Sequence, residues 1–174
     1  MTTITKNKQR SAAEITARGF LEKIVIDVGI GRLSSQPNFN DKILPQVIKE
    51  VEMFSGQKPQ ARPAKKSIAG FKVREGQTVG LKVTLRKKRM VDFFERLTKI
   101  VLPRVRDFSG ISAKSLDGGG VLSIGIKEQS VFPEINQDQL STSFSLGISM
   151  VPKMRDRKKA LEAFRELGVP FEKK

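Results

Sequence analysis

Apolar residues recur along this chain with two periods. Lys23 to Val28 alternates, with Ile24, Ile26 and Val28 on one side and Lys23, Val25 and Asp27 on the other, until Gly29 and Gly31. That two-residue period predicts a half-buried strand. Ile43, Leu44, Val47, Ile48, Val51 and Phe54 then return every three or four residues, predicting a helix that opens near Asn40 or Asp41 and closes at Ser55-Gly56. Lys58 to Arg62, interrupted by Pro59 and followed by Pro63, suits an edge strand, because proline donates nothing to a ladder. Val79, Leu81, Val83 and Leu85 alternate with Gly80, Lys82, Thr84 and Arg86 in the clearest strand. It runs into an amphipathic helix with Met90, Phe93, Phe94, Leu97, Ile100 and Val101 on one stripe, expected to stop before Pro103. After a turn at Asp117-Gly118-Gly119-Gly120, two further strands are predicted around Leu122, Ile124 and Ile126 and from Phe144 to Met150. A last helix runs from Arg155 to Leu167 and ends at Gly168.

The order strand, helix, two strands, helix, two strands, helix places paired strands next to each other in sequence. It therefore predicts an α+β two-layer sandwich, a mostly antiparallel sheet with helices on one face, rather than a doubly wound parallel sheet. At 174 residues one compact domain is expected, over residues 21–174, with residues 1–10 an irregular basic tail and 11–20 a short helix. If helices cover only the side carrying Ile24, Ile26, Leu81, Val83, Ile124 and Ile148, the other side is open. It would carry Lys58, Gln60, Arg62, Lys82, Thr84, Arg86, Ser123, Lys127, Ser145 and Ser149, cations, hydroxyls and amides suited to phosphate and sugar.

Charge sharpens this picture. There are 33 Lys and Arg against 18 Asp and Glu, a net charge of +15, so the chain repels itself unless a polyanion neutralises it. Residues 58–106 hold 15 of the cations against only Glu75, Asp92 and Glu95, and therefore +12 of the +15. With no Cys and no His, the chain lacks thiolate nucleophiles, the usual general base and the commonest metal ligands, so no enzyme, metal or cofactor is expected. No apolar run approaches a membrane span, and a cytoplasmic protein is expected. The charge alone does not separate RNA phosphate from lipid phosphate, so a polybasic peripheral membrane protein stays open as a rival. All 11 aromatics are Phe, mostly at core-facing positions, leaving no visible base-stacking platform; this favours folded RNA read by shape, phosphates and 2′-hydroxyls. Gly29-Ile30-Gly31 lacks the third glycine of a dinucleotide-binding turn.

Residues 63–78 predict a long basic loop. Lys65, Lys66, Ser67, Gly70, Phe71, Lys72, Arg74 and Gly76 mix four cations with two glycines that permit φ > 0, without sustained helix or strand period. Phe71 either anchors this loop to the domain or packs against a partner.

The motifs Ser55-Gly56-Gln57-Lys58-Pro59, Lys65 to Gly76, Gly80-Leu81-Lys82-Val83-Thr84-Leu85-Arg86, Pro103-Arg104-Val105-Arg106-Asp107-Phe108, Ser112-Ala113-Lys114-Ser115 and Gly125 to Ile135 together resemble the bacterial-type family of protein five of the large ribosomal subunit. The resemblance spans roughly residues 23 to 150. It implies a structural component of the central protuberance that holds 5S rRNA on its open sheet face and touches 23S rRNA. It also implies a basic loop pointing at P-site tRNA, a bridge to a small-subunit head protein, and contacts with other central-protuberance proteins. Gln57 and Thr84 match family positions that touch 5S rRNA, and Lys65 through Gly76 match the tRNA-facing loop. Asp27 departs from the family's usual Asn, losing a donor and placing a negative charge near phosphate. The last helix also departs, opening Arg155-Asp156-Arg157-Lys158-Lys159 where the family tends to be acidic, and the N-terminal helix is shorter. A transient ribosome assembly factor of the same fold is the rival within RNA binding.

Overall fold

A computed structural model describes residues 17–71, 73–135 and 142–172. The expected N-terminal tail, most of the expected helix over 11–20, and Lys72 of the basic loop lie outside the described residues; residues 17–20 are helical.

Five strands form one antiparallel sheet, and with the helices they make an α+β fold. They are β1 (Leu21–Gly29), β2 (Gln60–Pro63), β3 (Thr78–Leu85), β4 (Leu122–Ile126) and β5 (Leu146–Pro152), hydrogen-bonded in the order β2-β3-β1-β5-β4. The helices are α1 (Leu44–Ser55), α2 (Lys87–Arg96) and α3 (Arg157–Glu166). The predicted order of elements holds. β2 is an edge strand, as its prolines require, and pairs antiparallel with β3 in the register Gln60 to Lys82 and Arg62 to Gly80, slipping at Pro63. Val25 departs from simple alternation: it is buried although it falls on the polar side of β1. Ile124 of the other edge strand is only half-buried.

Two boundaries differ for identifiable reasons. The second helix does not stop before Pro103. α2 widens into a π-helical turn, Leu97–Val101, closed by Leu102 N–H donating to the Leu97 carbonyl, and continues through Leu102–Arg104. The proline ring crowds the carbonyl four residues back in a regular helix, and a wider turn directly before it eases that crowding. The same device precedes α1, where Phe39–Ile43 is π-helical and Leu44-Pro45 follows. β5 begins at Leu146 rather than Phe144, because the Phe144 N–H is taken by the Gln129 side chain at 3.0 Å.

The chain divides into two compact units. The first takes the described residues up to Ile24, Leu85–Ile124 and those from Ser149 onward. Its core includes Met90, Phe93, Phe94 and Leu97, and Phe20 meets Phe164 edge to face at 5.0 Å. Gly120, at φ 80°, lets the Gly118–Gly120 turn close against the start of α3, since a Cβ there would lie 2.9 Å from that of Ala160. The second unit takes Val25–Thr84 and the described part of Gly125–Ile148. Phe54 and Phe132 stack at 4.4 Å over a core that includes Ile26, Val47, Val51, Leu81 and Val83. The fully buried amide of Gln129 donates to the Thr142 carbonyl at 2.6 Å and to Glu50 at 3.4 Å while accepting from Phe144.

Candidate nucleic-acid interface

The alternation of β3 buries Leu81, Val83 and Leu85 and leaves Lys82 and Thr84 half-exposed on the opposite side. On the neighbouring edge Lys58, Gln60 and Arg62 are exposed, and register sets Gln60 opposite Lys82 and Arg62 opposite Gly80. Gly80 has a local purpose: a Cβ there would lie 3.3 Å from the Val28 carbonyl and 4.0 Å from the Arg62 Cβ. Among the described residues Lys58, Arg62 and Lys82 form no ion pair.

Gln57 reaches this edge through the end of α1. Gly56 adopts φ 69°, the left-handed conformation that ends helices, and the Ser55 hydroxyl accepts from the Gln57 N–H and donates to the Gln57 carbonyl. The Gln57 side-chain amide then donates to the Thr84 carbonyl at 3.5 Å. Gln57 and Thr84, which the resemblance names together, share one corner.

Asp27 is exposed on β1 and forms no ion pair among the described residues. Arg86 lies 3.5 Å from Glu22, which Lys23 also approaches at 3.5 Å, and both partners are about half exposed, so the pair contributes little to stability. Arg86 belongs to the first unit, whereas Asp27, Gln57, Lys58, Arg62, Lys82 and Thr84 belong to the second.

The segment between β2 and β3 is not an irregular loop. Ala64 N–H donates to Gln77 and Gly76 N–H returns to Ala64, Ile68 and Val73 form an antiparallel bridge, and Ala69–Phe71 makes a 3₁₀ turn at the tip. The Ser67 hydroxyl accepts from Glu75 N–H, and the Gln77 side chain accepts from Arg74 N–H while donating to the Ser34 carbonyl. Gly76 uses φ 79°, as its residue type permits, whereas Gly70 is not among the positive-φ glycines. Lys65, Lys66, Ser67 and Arg74 are exposed. Phe71 does not anchor the segment: it is 75% exposed, and Ile68 beside it 49%. Below them runs an open groove of about 1030 Å³, with Gly29, Gly31, Val73 and Val79 among its lining and the cations Arg32, Lys65 and Lys66 at it. Arg32 and the groove were not legible beforehand, because they depend on where Gly29 to Arg32 meet a segment more than thirty positions away.

Among the described residues no cluster of acidic side chains could hold a metal ion, and no helix is long and apolar enough to cross a membrane. The fold and the charge define a small, strongly basic α+β protein. Residues 18–74 match the family described as Ribosomal protein L5, and residues 78–171 match the C-terminus of that same ribosomal family. Curated relatives agree. "Large ribosomal subunit protein uL5" of Chlorobium luteolum is 44% identical over 88% of this chain and 77% of its own length. That of Oceanobacillus iheyensis is 46% identical over 88% and 83%, and "Large ribosomal subunit protein uL5c" of Guillardia theta 47% over 87% and 81%. The chain belongs to the ribosomal protein L5 family, whose members are structural and not enzymes.

Proposed function

We propose that this chain is a structural constituent of the large ribosomal subunit that binds 5S rRNA and 23S rRNA in the central protuberance. In this reading Lys58, Arg62, Lys82 and Arg86 meet 5S rRNA phosphates, and Gln57 and Thr84 make the polar contacts at the corner they share. Asp27 lies beside that contact as its weak point. The basic segment between β2 and β3, with Lys65, Lys66, Ser67, Gly70, Phe71, Lys72, Arg74 and Gly76, reaches P-site tRNA. A small-subunit head protein and other central-protuberance proteins complete the set of partners.

The observation that carries this reading is the outward cations Lys58, Arg62 and Lys82 on and beside β2 and β3, which form no ion pair among the described residues. Cations so arranged neutralise a phosphate backbone and release its counterions. The test is binding of 5S rRNA across a salt series. With about five to eight phosphates neutralised, log K should fall against log salt with a slope of roughly −4 to −7. A slope near zero overturns the proposal.

A further inference from the structure

A second basic surface lies in the first unit, at the start of α3. Lys114, Lys153, Arg155, Arg157, Lys158 and Lys159 are all exposed. Two hydrogen bonds gather them: the Arg157 guanidinium donates to the Ala113 carbonyl at 3.2 Å, holding the Ala113–Ser115 turn that carries Lys114, and Lys153 Nζ donates to the Arg18 carbonyl at 3.0 Å.

The nearby carboxylates do not neutralise these cations. Asp156 accepts from the backbone N–H groups of Lys158 and Lys159 at 2.9 and 3.2 Å, so its charge is used in capping α3. Asp117 accepts from the Val121 N–H at 2.8 Å. Glu162 stands one turn beyond Lys158 and is not paired with it, and none of the six cations forms an ion pair among the described residues. The helix N-terminus is already capped, so what is left to attract a ligand is the cation cluster itself. Such a cluster repels itself and is relieved by a polyanion.

We propose that this surface binds the phosphate backbone of a second RNA segment. The choice of RNA over an anionic membrane rests on the ribosomal reading above and on chemistry. Two of the cations are arginines, whose planar guanidinium matches phosphate bidentately. The exposed apolar side chain in the stretch from Lys153 to Lys159 is Met154, at 40%, far short of the apolar face that inserts a helix into a bilayer.

The test uses the full chain and the triple variant Arg155→Ala, Lys158→Ala, Lys159→Ala, which keeps the Asp156 cap and the Arg157 bond. A second version with Gln at the same three positions keeps the side-chain stems. Binding of an RNA duplex of about 16 base pairs is measured over a salt series, with free protein and with protein already saturated by 5S rRNA. If the three cations each neutralise one phosphate, the slope of log K against log salt flattens by about 2 to 2.7 in both variants. Thermal midpoint and 5S rRNA affinity stay near the parent's. Failure of the parent to bind 5S rRNA would overturn the function proposed above, while the duplex comparison on free protein would still decide this surface. A parental slope in both variants, no duplex binding by the parent, or tighter parental binding to phosphatidylserine vesicles than to the duplex would each overturn the assignment.

Discussion

The side-chain amide of Gln57 donates to the backbone carbonyl of Thr84 at 3.5 Å, joining the second residue past the end of α1 to the penultimate residue of β3. Because the carbonyl is the acceptor, the Thr84 hydroxyl is not consumed by this bond. Thr84→Val keeps the β-branched shape and the Gln57 bond while deleting that hydroxyl. The expected outcome is a thermal midpoint unchanged and 5S rRNA affinity about twofold to tenfold lower, the range of one net hydrogen bond. Equal affinity in a filter-binding titration would remove Thr84 from the contact.

Asp27 is exposed and has no cationic partner in an ion pair among the described residues, so its charge is open to repel phosphate. Asp27→Asn should raise 5S rRNA affinity severalfold at low salt, with the gain shrinking as salt screens it, because an exposed charge pair at about 4 Å is worth roughly 1 kcal/mol. Titrations at two salt concentrations check this; weaker binding by the variant would instead make the carboxylate a favourable part of the interface.

Among the described residues the hairpin between β2 and β3 makes its hydrogen bonds mainly through backbone groups and through Ser67 and Gln77, which leaves the side chains of Lys65, Lys66 and Arg74 uninvolved in its shape. Lys65→Ala, Lys66→Ala and Arg74→Ala together should therefore leave stability within about 0.5 kcal/mol per substitution. 5S rRNA affinity should stay near the parent's, while reconstituted ribosomes should retain P-site tRNA less well. Loss of 5S rRNA binding as severe as that of sheet-face variants would assign the hairpin to anchoring.

Gln129 is fully buried and satisfies three groups distant in sequence, Glu50, the Thr142 carbonyl and the Phe144 N–H. Gln129→Leu fills similar space but leaves the Thr142 carbonyl and the Phe144 N–H without their partner, while Glu50 keeps its bond from Gln46 at 3.0 Å; one stranded buried group costs about 1–3 kcal/mol. A loss of roughly 2–4 kcal/mol in a urea melt is expected on that scale; a loss below about 1 kcal/mol would mean the unit relaxes to let water satisfy them.

Much of the fold was legible because both periods are strong: Leu81, Val83 and Leu85 announce β3, and Val47, Val51 and Phe54 announce α1. What escaped depends on pairs far apart in the chain or on exceptions to a rule. Proline rules placed a stop at Leu102, and a π turn carried the helix past it. Polar composition predicted a loop at Lys65 to Gly76, yet its order comes from Gln77 reaching Arg74 and Ser34, which no periodicity reports. The corner of Gln57 and Thr84 spans 27 positions, and Arg86 and Glu22 span 64, so both became visible only once the strands were paired.

Lys87 is the sharpest such exception, since the run Arg86-Lys87-Lys88-Arg89 gives no hint of an unusual backbone. The structure places Lys87 at φ 55° between extended Arg86 and the body of α2, where the chain turns from strand to helix. A left-handed conformation costs an L-residue roughly 1–2 kcal/mol, while glycine adopts it freely and loses about 0.5–1 kcal/mol in chain entropy. Lys87→Gly should therefore stabilise the protein by up to about 1 kcal/mol. The control is Lys88→Gly one position on, where no positive φ is found and glycine should cost up to about 1 kcal/mol relative to a good helix former. Paired thermal melts measure the difference directly. The opposite signs are the test, because loss of a cation is common to both variants and cancels between them. If Lys87→Gly melts as low as Lys88→Gly, the turn into α2 does not require the left-handed residue.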